Sequence, residues 1–137
     1  RADNVSVRRH ATVVPSLTVP AAWWNDSWLV TVGARPLHAT MLQGEACGLT
    51  AEQPSEDELR ALAASVRALS YGTNLWGSAD YRRRISAPLA IQAVRRAAGI
   101  ELSAALAREL ETVQVPKFAT DEYSCRRVPG VDSSEVR

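Results

Sequence analysis

Two side chains in the first third of the chain, Asp26 and His38, have the clearest capacity for acid or base chemistry. An imidazole titrates near neutral pH without a large perturbation, and a carboxylate can exchange a proton with a substrate that lies within hydrogen-bonding distance. We therefore take His38 and Asp26 as the candidate catalytic residues. Side chains of these types are most often exposed or hydrogen-bonded to the protein itself, which is the alternative interpretation at both positions.

Four tryptophans in 137 residues, Trp23, Trp24, Trp28 and Trp76, form the second set of candidates. If their segment is a strand, the adjacent Trp23 and Trp24 point to opposite faces, so that one enters the core and the other needs a pocket or a partner. Together with Tyr81 they are the candidate ligand-binding residues, suited to a hydrophobic or aromatic metabolite. Packing in the core is the alternative for each, and for Tyr81 it is the main interpretation.

Composition and charge exclude several classes of protein. The chain is 46% hydrophobic and 23% charged, which is ordinary for one globular domain. Its 16 basic and 15 acidic residues leave a net charge of +1, without the basic surface expected of a nucleic-acid binder. No apolar run approaches the roughly 18 residues that a membrane span needs, and no signal peptide is recognisable, so a cytoplasmic protein is expected.

The two cysteines, Cys47 and Cys125, do not predict a metal site, because neither has other ligands around it at the usual spacings. A chain of this size does not depend on a disulfide for stability. Two free thiols are therefore expected, and a disulfide between them is the alternative.

The first third of the chain has the pattern of an antiparallel meander. β-branched residues dominate 5–14, which we expect to form a strand. The segments 21–24 and 28–32 flank 25–27, where the sequence Asn-Asp-Ser favours a tight turn, so a hairpin is predicted. A further short strand is expected over 37–42.

Three helices are predicted after the strands, and the third is shorter than the others. Ser55 and Glu58 have the spacing of a capping box, at the start of a helix that we expect to end at Gly72. Another helix is expected over 101–111, where leucine and alanine recur at helical spacing. The sequence of 116–137 loses this periodicity and predicts an extended or partly disordered tail.

The longest helical pattern lies between Ser78, the predicted N-cap, and Gly99, the predicted stop. Pro88 falls inside it and predicts a kink or two abutting helices. The consecutive arginines 82–84 are spread around the helix, and we expect them to be solvated or salt-bridged. Strands followed by helices predict one α+β domain over 1–115, with an antiparallel sheet of three or four strands packed on about three helices.

The sequence over 1–99 resembles the C-terminal domain of the flavin subunit of molybdenum hydroxylases, the xanthine and carbon monoxide dehydrogenase family. The residues Gly-Ser-Ala-Asp-Tyr-Arg-Arg at 77–83 are the main basis, since relatives usually have Gly-Ser-Ala-Glu-Tyr-Arg at the same helix start. Arg-Ala-Asp at 1–3 and Arg-Pro-Leu-His-Ala at 35–39 add to it. The chain departs at 74–76, where the family commonly has Asp-x-Arg and this sequence has Asn-Leu-Trp.

The resemblance implies a domain of the CO dehydrogenase flavoprotein C-terminal type, which packs beside a flavin domain and beside iron–sulfur and molybdopterin subunits. Family members bind FAD mainly through glycine-rich loops of an upstream domain, where backbone amides face the pyrophosphate. None of the seven glycines here forms such a loop. We expect no cofactor to be bound by this chain alone, and FAD only in a larger assembly.

Three functions remain open at this point. The first is that of the flavin-subunit type of domain, as one component of an oxidoreductase. The second is a small stand-alone, cofactor-free enzyme or binding protein that uses a tryptophan-lined pocket for a hydrophobic metabolite. The third is a homodimeric structural module that associates through its sheet or its tryptophans, in keeping with the homo-oligomer that we expect.

Overall fold

The computed structural model describes residues 1–7 and 16–111. An antiparallel sheet with the strand order β1-β2-β3-β4 comes first, built from β1 (Ala2–Val7), β2 (Leu17–Trp24), β3 (Ser27–Val32) and β4 (Thr40–Gln43). A short 3-10 helix (Gly44–Cys47) and three α-helices follow: α1 (Glu56–Arg67), α2 (Ala79–Ala98) and α3 (Ala104–Glu111). The predicted α+β class and the meander are confirmed. Residues 8–14 of the first predicted strand and the tail over 116–137 lie outside the described residues.

The predicted hairpin forms around a turn of two residues. Asn25 and Asp26 both have positive φ angles, of 46° and 55°. This is the backbone that a type I′ turn requires, and asparagine and aspartate tolerate it better than most residues. Ser27, which we placed in the turn, instead begins β3 and pairs with Trp24.

One face of the sheet, which we call the inner face, is covered by helices. Inward side chains alternate along β2 and β3 and are fully or almost fully buried: Leu17, Val19, Ala21, Trp28, Val30 and Val32. Helix α2 packs against β1 and β2, and α1 packs against α2. The hydrophobic core therefore lies between the sheet and α2, in keeping with a layered α+β architecture.

Helix α1 begins with the predicted capping box. The Ser55 Oγ accepts a hydrogen bond from the Glu58 amide at 3.3 Å, and the Glu58 carboxylate accepts one from the Ser55 amide at 2.8 Å. The other oxygen of that carboxylate accepts from the backbone and the hydroxyl of Thr50, both at 2.7 Å. Burial acts to raise the pKa of Glu58, but these hydrogen bonds stabilise the charged form and lower the pKa to about 2.

The end of α1 differs from the prediction, because the helix stops at Arg67 rather than at Gly72. The buried Tyr71 donates its hydroxyl proton to the Val66 carbonyl at 2.6 Å. The Gly72 amide donates to the carbonyl of Arg35 at 2.9 Å, outside the helix. These contacts direct the chain away from the helix axis, so Gly72 acts as a contact between loops and not as a helix stop.

Helix α2 agrees with the prediction at both ends and differs in the middle. The Ser78 Oγ accepts from the Tyr81 amide at 3.1 Å, and Gly99 has the left-handed conformation, with φ of 70°. The helix continues across Pro88, so the division into two helices does not occur. More than half of the residues of α2 are buried between the sheet and α1, and this packing offsets the loss of one backbone hydrogen bond.

Helix α3 starts at Ala104, three residues after the predicted start. Its Leu106 is buried in the same core, and its Glu109 forms an ion pair with Arg60 of α1 at 3.3 Å. Helices α1 and α3 are therefore neighbours. Among the described residues no helix is both long enough and apolar enough to cross a membrane.

Candidate functional site

The two candidate catalytic residues lie at opposite ends of β3. Asp26 is exposed in the turn before the strand, and His38 is exposed in the loop after it. Six residues at about 3.3 Å each place the two ends about 20 Å apart. The structure therefore does not bring His38 and Asp26 together, and a shared acid–base site is not formed by this pair.

The tryptophans of the hairpin divide between the two sides of the sheet. Trp28 is fully buried, and its Nε1 donates to the Ala51 carbonyl at 2.8 Å. Trp23 is half-buried and meets the Trp28 ring edge-on, with 5.7 Å between ring centroids. Trp24 points the other way and is 66% exposed. The pair of Trp23 and Trp28 thus belongs to the core, while Trp24 lies exposed on the opposite face of the sheet.

Tyr81 lies at the start of α2, half-buried against the core. Burial raises the pKa of its hydroxyl, and the neighbouring positive charge of Arg82 partly opposes that shift. A Cβ on Gly77 would lie 3.2 Å from the Tyr81 ring, so the absence of a side chain there leaves room for the ring. Tyr81 therefore packs against the core.

The side chains that point away from the helices form a second face of the sheet, which we call the outer face. Its members alternate with the buried residues along the four strands. They are Ala2, Asn4, Ser6, Thr18, Pro20, Ala22, Trp24, Ser27, Leu29, Thr31, Met41 and Gln43. No charged residue is among them. A shallow depression of about 500 Å³ lies over the middle of this face, and its lining also includes the charged Asp3 of the edge strand β1.

A second exposed apolar feature is a tight turn between α1 and α2, which we call the Leu75–Trp76 turn. The Asn74 amide donates to the Gly77 carbonyl at 3.1 Å, and the Gly77 amide donates to the Asn74 carbonyl at 3.2 Å. The two residues between them are displayed at the tip, with Leu75 92% exposed and Trp76 42% exposed. Trp76 therefore lies apart from the tryptophans of the hairpin.

The Leu75–Trp76 turn is held from below by the buried guanidinium of Arg82. Its Nε donates to the Ser16 carbonyl at 2.8 Å, and its Nη1 donates to the carbonyls of Gly72, at 2.9 Å, and Gly77. Its Nη2 donates to the Asn74 Oδ1 at 2.6 Å. One side chain thus ties both ends of the turn to the start of β2.

The burial of Arg82 contradicts our expectation that all three consecutive arginines are solvated or salt-bridged. Arg83 does form an ion pair with Asp80, at 3.1 Å, but Arg82 is 1% exposed. The spacing contained a signal for this difference, since Arg82 lies three and seven residues before Ile85 and Leu89 on the buried stripe of α2. Burial lowers the pKa of the Arg82 guanidinium.

A second buried guanidinium, that of Arg35, holds the loop between β3 and β4. Its Nε donates to the His38 carbonyl at 2.9 Å, and its Nη atoms donate to the Ser70 carbonyl and the Thr40 hydroxyl. Residues 35–39 were part of the resemblance noted in the sequence. Arg35 therefore has a structural role here, as the anchor of its own loop.

Gly72 connects the two buried arginines. Its amide donates to the Arg35 carbonyl, and its carbonyl accepts from Arg82, both at 2.9 Å. A Cβ at this position would lie 3.1 Å from the Pro36 side chain, closer than a side chain normally packs. Among the described residues neither guanidinium has a carboxylate within salt-bridge distance, so both are satisfied by neutral oxygens.

Within the described part of the chain, no group of three or more His, Cys, Asp or Glu side chains could hold a metal ion. The glycines with positive φ, which are Gly44, Gly48 and Gly99, lie singly at helix ends. They do not fit a pyrophosphate cradle, which needs successive backbone amides from one loop. Cys47 is a buried free thiol whose pKa is raised by burial, and Cys125 lies outside the described residues.

The described part of the chain thus presents two surfaces with exposed large apolar side chains, the outer face and the Leu75–Trp76 turn, rather than one enclosed catalytic pocket. Comparison with known proteins adds no further assignment to either feature. No protein-family model, no curated protein and no solved structure matches this chain.

Proposed function

We propose that this chain is a structural assembly module in which the outer face packs against a second copy of the chain. The observation that supports this proposal is an entire sheet face without a charged side chain, on which Trp24 and Met41 are 66% and 59% exposed. The solvated face of an antiparallel sheet is normally polar. The cores of protein interfaces, in contrast, are depleted in charge and enriched in tryptophan and methionine.

A second copy is the partner that the charge distribution favours. In a two-fold dimer the same patch is present on both subunits, so each charged residue near the axis would meet its own copy. The members of the outer face bring no such like charges together, and the one charged residue that lines its depression, Asp3, lies on the edge strand β1. The middle of the face can therefore meet its own copy without electrostatic repulsion.

The area of the outer face is consistent with a weak dimer. Four strands about 4.8 Å apart and about six residues long cover roughly 400 Å² on each copy. Dimerisation would then bury at least about 800 Å² in total, which is in the range of reversible associations. We expect the dimer to form at high protein concentration and to dissociate on dilution.

Sedimentation of the wild-type chain and of Met41→Glu over a range of concentrations tests this proposal. The wild type should approach twice the monomer mass of 14.9 kDa, and Met41→Glu should remain monomeric, because it places two carboxylates against each other in an apolar interface. Leu75→Glu makes the same kind of change at a side chain away from the face and should dimerise like the wild type. A monomeric wild type at every concentration, or a dimeric Met41→Glu, would contradict the proposal.

The Leu75–Trp76 turn favours a second candidate function, that of a cytoplasmic oxidoreductase component that packs beside a flavin domain. The turn directly precedes residues 77–83, on which the resemblance to flavin subunits rests. A tryptophan at a preorganised tip is typical of interaction hot spots, because little conformational freedom remains to be lost on binding. Under this candidate the flavin domain contacts Trp76, and electron transfer belongs to the assembly.

Co-expression with flavin, iron–sulfur and molybdopterin subunits encoded beside this chain tests the second candidate. The chain should elute with a protein that absorbs at the flavin wavelengths, and Trp76→Ala should release it while the matched Trp24→Ala does not. If the chain elutes alone and colourless, this candidate is wrong and the homodimer remains to be judged by its own test.

A stand-alone enzyme with a tryptophan-lined pocket has less support. The four tryptophans lie in three separate places, namely the core, the outer face and the Leu75–Trp76 turn. His38 and Asp26 lie at opposite ends of β3 and cannot act on one substrate together. We therefore place the assembly functions first.

A further inference from the structure

A depression of about 450 Å³ lies between the edge strand β1 and the second half of α2. Its polar lining comes from Asn4, Ser6, Gln92 and Arg96, and its apolar lining from Val5, Pro88 and Leu89. The volume is in the range of sites that bind small molecules in proteins. Asn4 and Ser6 also belong to the outer face, whereas the other lining residues have no part in the assembly functions.

Arg96 is the charged side chain of this lining. It is exposed and forms no salt bridge with any of the described residues, whereas its neighbour Arg95 donates to the Glu101 carboxylate at 2.9 Å. An arginine without a partner at the edge of a depression presents a planar set of N–H donors to an incoming ligand. The depression therefore favours an anionic group, and a carboxylate matches the guanidinium in shape.

Gln92 is the neutral polar side chain of the lining that lies on α2 together with Arg96, and it can add a donor to that of Arg96. It forms no side-chain hydrogen bond with other described residues. Asn4 and Ser6 line the other edge of the depression from β1, where the Asn4 Oδ1 accepts a hydrogen bond from the Thr18 hydroxyl on the outer face at 3.0 Å. The polar side of the depression thus suits an acceptor-rich head group.

The opposite side of the depression is apolar. Val5 and Leu89 are buried beneath it, and the Pro88 ring is half-buried beside them. The Pro88 ring lines the depression with carbon atoms and carries no hydrogen-bond donor. A ligand that combines a carboxylate with a short apolar body would satisfy both sides.

We propose that this depression is a binding site for a small organic acid, with the carboxylate on Arg96 and Gln92 and the apolar body against Pro88 and Leu89. This inference goes beyond the assembly function and does not depend on it. One charged contact and a short apolar surface make an affinity on the order of 1 mM the expected scale.

Benzoate is a suitable probe, and benzamide is its uncharged counterpart of nearly the same shape. In a titration followed by two-dimensional amide NMR of the full chain, benzoate should shift the backbone amides of Asn4, Ser6 and Gln92 to saturation. Arg96→Gln should weaken binding about tenfold or more, because it removes the charge-assisted hydrogen bond. Arg95→Gln is the matched control, since that arginine is paired with Glu101, and it should bind benzoate like the wild type.

Saturable shifts at these amides, lost in Arg96→Gln and retained in Arg95→Gln, would support the site. The proposal is overturned if benzoate shifts other regions only, or if benzamide binds equally well. Equal binding by Arg96→Gln would overturn it too. Arg96 is exposed, so its replacement should leave the fold intact, and the unshifted amide spectrum of the free variant verifies this.

Discussion

The inner and outer faces of the sheet are built from alternate residues of the same strands, yet within the described ranges 1–7 and 16–111 helices cover only the inner one. On the inner face Leu17, Val19 and Val30 are fully buried under α2. On the outer face Trp24 and Met41 are among the most exposed large hydrophobic side chains of the described residues. The outer face combines these apolar side chains with uncharged polar ones such as Thr31 and Gln43, and this depletion of charge is typical of the core of an interface.

The largest effect that separates the two faces should come from the two tryptophans on either side of the hairpin turn. Trp28→Ala removes a fully buried ring and the hydrogen bond to Ala51, so it should lower the free energy of unfolding by about 3–5 kcal/mol. Trp24→Ala changes an exposed residue and should lower it by less than about 0.5 kcal/mol. Urea denaturation at a concentration where the chain is monomeric measures both. Equal losses would show that the two faces do not differ in burial.

The second comparison concerns two adjacent arginines of α2, one directed inward and one outward. Arg82→Met leaves the acceptors of the Leu75–Trp76 turn and of Ser16 without their donor, so we expect a loss of about 3 kcal/mol. Arg83→Met removes an exposed ion pair with Asp80 and should cost less than about 1 kcal/mol. Thermal unfolding of both variants tests this order, and an equal Tm for the two would refute the structural role of Arg82.

The smallest effect concerns the helical layer that covers the inner face. The folded pKa of Glu58 is about 2, below its ordinary value of 4.5, so its carboxylate stabilises the fold above about pH 4.5. This stabilisation should be lost as the pH falls from about 4.5 to about 2, when the carboxylate is protonated in the folded state. Glu58→Gln should therefore be about 1 kcal/mol less stable than the wild type at pH 7 and nearly equal to it at pH 2.

The measurement is the free energy of unfolding of both proteins against pH. Glu101→Gln serves as the control, because it removes a carboxylate that is 93% exposed in its pair with Arg95. That change should be below about 0.5 kcal/mol. A difference between wild type and Glu58→Gln that persists unchanged at pH 2 would show that the charge of Glu58 is not the source of its contribution.

Local features of the fold were predictable because their signals lie within a few residues of each other. The capping box of Ser55 and Glu58, the cap at Ser78 and the stop at Gly99 each depend on hydrogen bonds that span one helical turn. The hairpin follows in the same way from the residue types at its turn. Long-range contacts gave no such signal. The end of α1, for example, depends on a hydrogen bond from the Gly72 amide to the Arg35 carbonyl.

The candidate surfaces also combine features that the sequence predicts with features that long-range contacts decide. The sequence indicated that Trp23 and Trp24 point to opposite faces, and only the pairing of Trp23 with Trp28 decided which of them enters the core. Trp76 is displayed because Arg82, which is close to it in sequence, holds the Leu75–Trp76 turn. The tip stays in place because that guanidinium also reaches the carbonyl of Ser16, 66 residues away in sequence.

The sequence by itself determined an α+β domain, the order of its strands and helices, and the caps of its two longer helices, because these follow from local residue types and periodicity. Tertiary structure alone decided which face of the sheet is covered, that Arg82 is buried while Arg83 is not, and where the apolar surface remains open. The physical reason is that coverage depends on the packing of α2 across the sheet, and this packing joins residues far apart in the chain.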